Sequence, residues 1–196
     1  MTTGILLAAG KSDRFGSPKL LLDVQGEPLI VRMATTALTS NLDRLIVVVG
    51  AFRDKIKDLL KKYPVTVCEN KEWESGLGSS IKSGIGCLQK IQDVESTGAL
   101  IMVADQPLLS SSYLNQLIEE AQKNPDKVIA SAYSDTYGVP VVYPSKYFNE
   151  IHQVSDEQGA KQIIYKHQDE LISLPFPAGK YDLDTQEDYD QIIEML

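Results

Sequence analysis

A chain of 196 residues with 43% hydrophobic side chains and no Pro/Gly-rich linker can bury a full core, and it reads as one domain over residues 1–196. A formal net charge of -8 excludes a general nucleic-acid binder, which would present a basic face; the cluster Lys55, Lys57, Lys61 and Lys62 reads as one solvated helix side. The first apolar run lacks a basic leader and is too short to span a membrane, and the two cysteines, Cys68 and Cys87, lack metal-ligand spacing, so a cytosolic protein with reduced, inert thiols is expected.

In chain order, GILLA (4–8) reads as a first strand buried on both faces, followed by a helix over 28–38. RLIVVVG (44–50) is a second strand with a helix over 53–62, and PVTVC (64–68) a third with a helix over 77–91. ALIMVA (99–104) and KVIASAY (127–133) follow, separated by a helix over 111–123. The rhythm then changes: 137–143 is extended, 145–152 and 158–167 are short helices, and 171–174 is a strand. A closing helix over 185–196 is capped by Thr185, with acidic residues in its first turn. Strands and helices alternate through short links, which predicts an α/β fold: a three-layer, doubly wound, mostly parallel sheet.

In such sheets ligands bind beyond the carboxyl ends of the strands, here segments 8–19, 70–84 and 105–107. The first contains Gly10, Lys11 and Ser12 but is no P-loop, because five residues separate Gly4 from Gly10 where the Walker pattern requires four. A dinucleotide GxGxxG fails as well, since no glycine stands between Gly10 and Gly16. What LAAGKSDRFGSPK offers instead is small residues, Ala8, Ala9 and Gly10, where the chain leaves the sheet, so that backbone N–H groups can approach an anion. Arg14 and Lys19 add two cations across the following turn, which suits a triphosphate; solvated loop charges are the plainer alternative.

IMVADQPLL carries an apolar strand directly to Asp105. An acid there either caps a turn or holds Mg²⁺, which takes one or two carboxylates together with phosphate oxygens and water. A second acid is available in KYDLDTQEDY, where Asp182 and Asp184 alternate and project to one side; Asp184 also stands where it could support the following helix, and the choice between them stays open. No Ser/His/Asp or Cys/His set is evident: His152 and His167 lie in helical patterns and read as surface residues, and Trp73 reads as a packing or rim residue.

These stretches together resemble the MobA-like nucleotidyltransferase superfamily, and within it most closely the molybdenum cofactor cytidylyltransferases of the MocA type. The motif LAAGxSxRxGxxK is matched by Leu7, Ala8, Ala9, Gly10, Ser12, Arg14, Gly16 and Lys19, and DQP by Asp105, Gln106 and Pro107. DLDTQEDY is similar to the closing DIDTPEDY, with Gln186 in place of proline. WESGLGSSIKSGI resembles the segment that carries Gly76, Ser79 and Ser80, and Gly138 and Pro140 form a GxP. DEQGAKQII is similar to GDxGAR, with Gly159 kept, Glu157 and Gln158 altered, and Lys161 replacing arginine.

The resemblance implies a Rossmann-like nucleotide-diphospho transferase fold and a reaction in which the phosphate of molybdenum-molybdopterin attacks the α-phosphate of CTP, releasing pyrophosphate. It implies Arg14, Lys19 and Asp105 as catalytic residues and Asp105 and Asp184 as ligands of Mg²⁺. Leu7, Ala8, Ala9, Gly10, Arg14, Lys19, Gly76, Ser79 and Ser80 would bind the nucleotide, and Gly138, Pro140, Gly159, Lys161 and Asp182 would face the acceptor. Ala9 favours CTP over GTP, because the guanylyl-transferring branch reads LAGG at this point.

Other readings stand beside this one. The same superfamily contains guanylyltransferases and sugar-phosphate nucleotidyltransferases. A nicotinamide-dependent reductase is disfavoured by the missing GxGxxG, and a carrier or chaperone serving a molybdenum hydroxylase client by Arg14, Lys19 and Asp105 together. No nucleic-acid or membrane partner is expected. As surface cations, Arg14 and Lys19 are expected to add little to thermal stability.

Overall fold

The computed structural model of the protein describes residues 1–11, 18–91, 96–156 and 159–196. Its elements in chain order are β1 (Thr2–Ala8), β2 (Asp23–Val24), β3 (Glu27–Pro28), α1 (Leu29–Leu38), β4 (Arg44–Val49), α2 (Arg53–Leu60), β5 (Thr66–Glu69) and α3 (Leu77–Gln89). There follow β6 (Gly98–Val103), α4 (Ser111–Lys123), β7 (Val128–Tyr133), β8 (Thr136–Pro144), α5 (Phe148–Ile151), α6 (Lys161–Lys166), β9 (Leu171–Pro175) and α7 (Gln186–Met195).

Seven strands form one sheet in the order β5-β4-β1-β6-β8-β7-β9. The apolar runs of β1, β4 and β6 belong to its centre, and their alternation feeds two cores. Leu6, Leu45, Val47, Leu100 and Met102 face α1, α2, α4 and α7 on one side. Ile5, Ile46, Val48, Ala99 and Ile101 face α3, α5 and α6 on the other. The predicted three-layer, mostly parallel α/β sheet is present. β8 alone runs against the rest, antiparallel to both β6 and β7.

The β7–β8 connection explains that insertion. Ser134 and Asp135 both have positive φ, 49° and 60°, which makes a two-residue turn whose twist matches a hairpin. KVIASAY is therefore not the next parallel neighbour of β6; β8 folds back between them. PVTVC also differs from the expectation of a strand buried on both faces, because β5 is the sheet edge and all four of its residues are only half-buried. The expected helix over 158–167 is present as α6, shorter at its start, while Glu157 and Gln158 lie outside the described residues. Lys55, Lys57, Lys61 and Lys62 are all exposed, as the charge pattern implies. Among the described residues no helix is long and apolar enough to cross a membrane.

α3 lies unusually close to the sheet. A Cβ at Gly84 would come within 2.5 Å of Ile5 Cγ2 and 3.1 Å of Val48 Cγ2. Both neighbours are β-branched residues with little freedom to turn away. Alanine has the better helix propensity by about 1 kcal/mol, but the overlap outweighs it, and Gly84→Ala is expected to destabilise the protein by about 1–2 kcal/mol in denaturant unfolding. Unchanged stability would contradict the close approach.

Candidate functional site

Three strand ends and the segment before α7 converge. Ala9 and Gly10 leave β1, and the end of β4 closes against them, with Ala51 N donating to Ala9 O at 3.1 Å. Gly50 permits this contact, since a Cβ there would stand 2.5 Å from Ala9 O and 2.7 Å from Trp73 Cβ. At the end of β6, Leu183 N donates to the Asp105 carbonyl at 2.9 Å and so ties the 182–184 stretch to the sheet. Lys19 opens a short 3-10 turn, Lys19–Leu21, started by Pro18.

Between these elements lies a cavity of about 390 Å³. Leu7, Ala8, Ala9, Gly10 and Lys19 form one side, Trp73, Gly76, Leu77 and Ser80 another, and Asp105 and Asp184 the end beyond β6. Nearly all the residues singled out for the nucleotide and metal thus meet in one place. Arg14, Ser12 and Gly16 lie outside the described residues. Ser79 does not line the cavity: its hydroxyl donates to the carbonyls of Glu72 and Gly76, both at 2.8 Å, and accepts from Asn70 Nδ2 at 2.9 Å.

The charges at the acidic end are organised around one ammonium. Lys19 Nζ donates to Asp105 Oδ2 and Asp184 Oδ1, each at 2.7 Å. The lysine side chain is only 13% exposed, against 26% and 39% for its two partners. Burial works against its charge, but the carboxylate of Asp105, and after it Asp184, more than offset this and hold its pKa above the ordinary lysine value. Lys19 is thus a half-buried, doubly paired residue, which removes the alternative of a solvated loop charge and the expectation of a surface cation that adds little to stability. Two carboxylates converging on a single positive charge fit a divalent cation of the Mg²⁺ type, which draws its remaining ligands from substrate and water. No group of three or more His, Cys, Asp or Glu able to hold a metal is present among the described residues.

The two candidate acids separate in the structure. Leu183 between them is fully buried, so Asp182 and Asp184 do share a side, but Asp182 accepts from Gln106 Nε2 at 3.0 Å while Asp184 faces Lys19. Desolvation, and then the nearby Asp105, pushes the Asp182 carboxyl above the usual range. Asp184 is not the helix cap either: Thr185 and Asp188 form a reciprocal capping box, and Asp188 also accepts from Asp184 N at 3.1 Å.

On the acceptor side the residues scatter. Gly138 and Lys161 line a smaller, apolar cavity of about 170 Å³ with Tyr133, Tyr143 and Ile164, and Leu77 belongs to both cavities. Pro140 does not line it and instead accepts through its carbonyl from Ser131 Oγ at 2.6 Å. Gly159 packs on Gly78.

Sequence reasoning gave no role to two buried amides. Asn70 donates to Ser79 and Ser80 at 2.9 and 3.0 Å and accepts from Glu72 N, which shapes the start of α3. Gln106 holds Asp182 and the Gly179 carbonyl. Both follow strand ends inside segments already singled out; the missed signal was an amide at the point where a buried strand meets a turn. His152 and His167 pair with Gln89 and Glu150 and line neither cavity.

The chain is 29% identical to the purine catabolism protein PucB of Bacillus subtilis, over 96% of this chain and 94% of that one. It is 31% identical to nicotine blue oxidoreductase of Paenarthrobacter nicotinovorans, over 67% and 62% of the two chains. The crystal structure of Rv0371c from Mycobacterium tuberculosis in complex with manganese superimposes with a TM-score of 0.80 at 21% identity, covering 100% of this chain and 99% of that one. The MobA-like NTP transferase domain matches residues 4–171, a span that carries most of β1, Lys19, Asp105 and the walls of both cavities short of Asp184, and the chain belongs to that family.

Proposed function

We propose that the protein is a Mg²⁺-dependent cytidylyltransferase that moves CMP from CTP to the phosphate of a molybdopterin-type acceptor carrying molybdenum. The observation that carries this reading is the convergence of Lys19, Asp105 and Asp184 beside the Ala8–Gly10 backbone. An oxygen of the acceptor phosphate forms a bond to the α-phosphorus of CTP, the bond from that phosphorus to the bridging oxygen breaks, and pyrophosphate leaves. Such transfers depend on positioning and charge neutralisation more than on a covalent nucleophile.

Asp105 and Asp184 would hold the metal, which neutralises triphosphate charge when bound. Lys19 and Arg14, the latter outside the described residues, would place positive charge on the transferred and leaving phosphates. The backbone at Ala8–Gly10 would fix the triphosphate, and Gly76 and Ser80, with Ser79 supporting them, would border the base. The apolar cavity at Gly138 and Lys161, joined to the first through Leu77, suits the acceptor's ring system. Pro140, Gly159 and Asp182 would shape that side without lining it. The manganese-bound structural neighbour supports a divalent metal, and the relative named for purine catabolism is compatible with a client enzyme that acts in purine breakdown. A bare carrier would have no use for two acids and a half-buried lysine at one cavity.

Trp73, the sole tryptophan, lines the larger cavity and should report nucleotide binding through its fluorescence. In Mg²⁺ buffer CTP is expected to bind at least tenfold more tightly than GTP, because the Ala9 methyl narrows the wall where a purine needs room; one pocket methyl shifts discrimination by about 1–3 kcal/mol. Ala9→Gly should narrow that ratio without inverting it. Equal affinities in the wild type, or a preference for GTP, would move the protein to a guanylyl-transferring role.

A further inference from the structure

Cys68 lies on the edge strand β5 and Cys87 near the end of α3. The fold sets these two cysteines, the only ones in the chain, against each other. Cys68 Sγ donates to the Ser83 carbonyl at 3.4 Å. Ser83 stands one helical turn before Cys87, and a helical side chain leans back over the turn N-terminal to its own Cα. The Cys87 side chain therefore leans back toward the carbonyl that Cys68 touches. Both residues are half-exposed and border one surface hollow together with Glu69, Lys82, Gly86 and Lys90.

We propose that Cys68 and Cys87 form a dithiol site that small-molecule disulfides oxidise to an intramolecular cross-link between β5 and α3. One protein thiolate attacks the reagent, a mixed disulfide forms, and one small thiol leaves. The second cysteine then attacks the protein sulfur of that mixed disulfide, the Cys68–Cys87 bond forms, and the second small thiol leaves. Two electrons and two protons pass from the pair to the reagent, which ends as two thiols.

Burial, and then the contact with Cys87, pushes the Cys68 thiol up to about 12, with Lys90 opposing the shift. The other charged groups around the pair are already engaged, Lys82 with Asp156 at 2.9 Å and Glu69 with Arg53 at 2.8 Å. The cross-link closes a loop of about 20 residues, and its closure should raise the melting temperature by roughly 5–10 °C. Inside that loop lie Asn70, Trp73, Gly76 and Ser80, so oxidation tethers one wall of the larger cavity to the sheet edge. None of this depends on the transfer reaction proposed above.

The test equilibrates the freshly reduced full chain with oxidised glutathione at about pH 8, where thiolate forms readily. Intact mass without reductant should fall by two hydrogens with no glutathione attached, no thiol should titrate in denaturant, and a peptide map should join the Cys68 peptide to the Cys87 peptide. In Cys68→Ser and in Cys87→Ser, which lack the second thiol, the remaining cysteine should instead retain one stable glutathione. Stable glutathione adducts on the wild type, a disulfide-linked dimer, or two thiols still titratable would overturn the site. A cross-linked form melting at or below the reduced one would show that the pair is not preformed.

Discussion

Asp105→Asn should slow pyrophosphate release from CTP on the order of a thousandfold or more while leaving the fold in place, because it removes a charge that stabilises the transition state through the metal by several kcal/mol. The substitution is nearly isosteric. The Asp105 carbonyl, which accepts from Leu183 N at 2.9 Å and ties the 182–184 stretch to the sheet, is untouched. Lys19 keeps its second partner, Asp184, so the melting temperature should fall only slightly. Parallel substitutions rank the second acid: Asp184→Asn should approach the Asp105 effect, since both carboxylates meet one cation, whereas Asp182→Asn, whose carboxylate faces Gln106, should cost less than tenfold. Steady-state rates within tenfold of wild type for Asp105→Asn would remove the metal role from this residue.

Lys19→Met should lower the same rate roughly a hundredfold or more, through the lost charge on the phosphates, and should also destabilise the protein. The second effect is where the structure departs from the sequence expectation. Without the ammonium, Asp105 and Asp184 are left facing each other, with Asp182 close enough to feel Asp105. Partly buried like charges without a partner cost about 1–3 kcal/mol, at the lower end here because Asp184 is still reached by solvent. In metal-free buffer the variant should therefore melt several degrees below wild type, and millimolar Mg²⁺ or Mn²⁺ should recover more of that loss than it adds to wild type.

The sign of the pH dependence follows from the raised lysine pKa. The wild-type advantage should be complete below the ordinary value of 10.5 and fade only as pH rises through the shifted folded-state value. A variant that melts like wild type with and without metal would mean that the two carboxylates do not need Lys19 between them.

Much of this architecture was legible because its causes are local. The central strands are continuous apolar runs, a signature of burial on both faces, and the small residues Ala8–Gly10 and the acid Asp105 stand directly at their carboxyl ends, where open sheets bind ligands. The place of β8 was hidden because its hairpin turn is Ser134–Asp135, with no glycine to announce two positive φ angles. The Lys19 pairs were hidden for a different reason. They join residues 86 and 165 positions apart, and nothing in a lysine after a proline says whether its ammonium meets water or two carboxylates. Asn70 and Gln106 act by holding other side chains in place, and the two cysteines meet only because α3 packs beside the edge strand. Packing between elements decides such matters, and periodicity along one element does not report it.

The most direct measurement follows pyrophosphate release with each of the four NTPs, in Mg²⁺, with and without molybdopterin carrying molybdenum. CTP should give pyrophosphate in step with a nucleotidylated acceptor, at least tenfold faster than GTP, and the signal should vanish without acceptor, with chelator, and in Asp105→Asn. Absence of pyrophosphate from every NTP in the presence of acceptor and metal, together with NAD(P)H consumption in the same protein, would contradict the transferase reading and leave a reductase in its place.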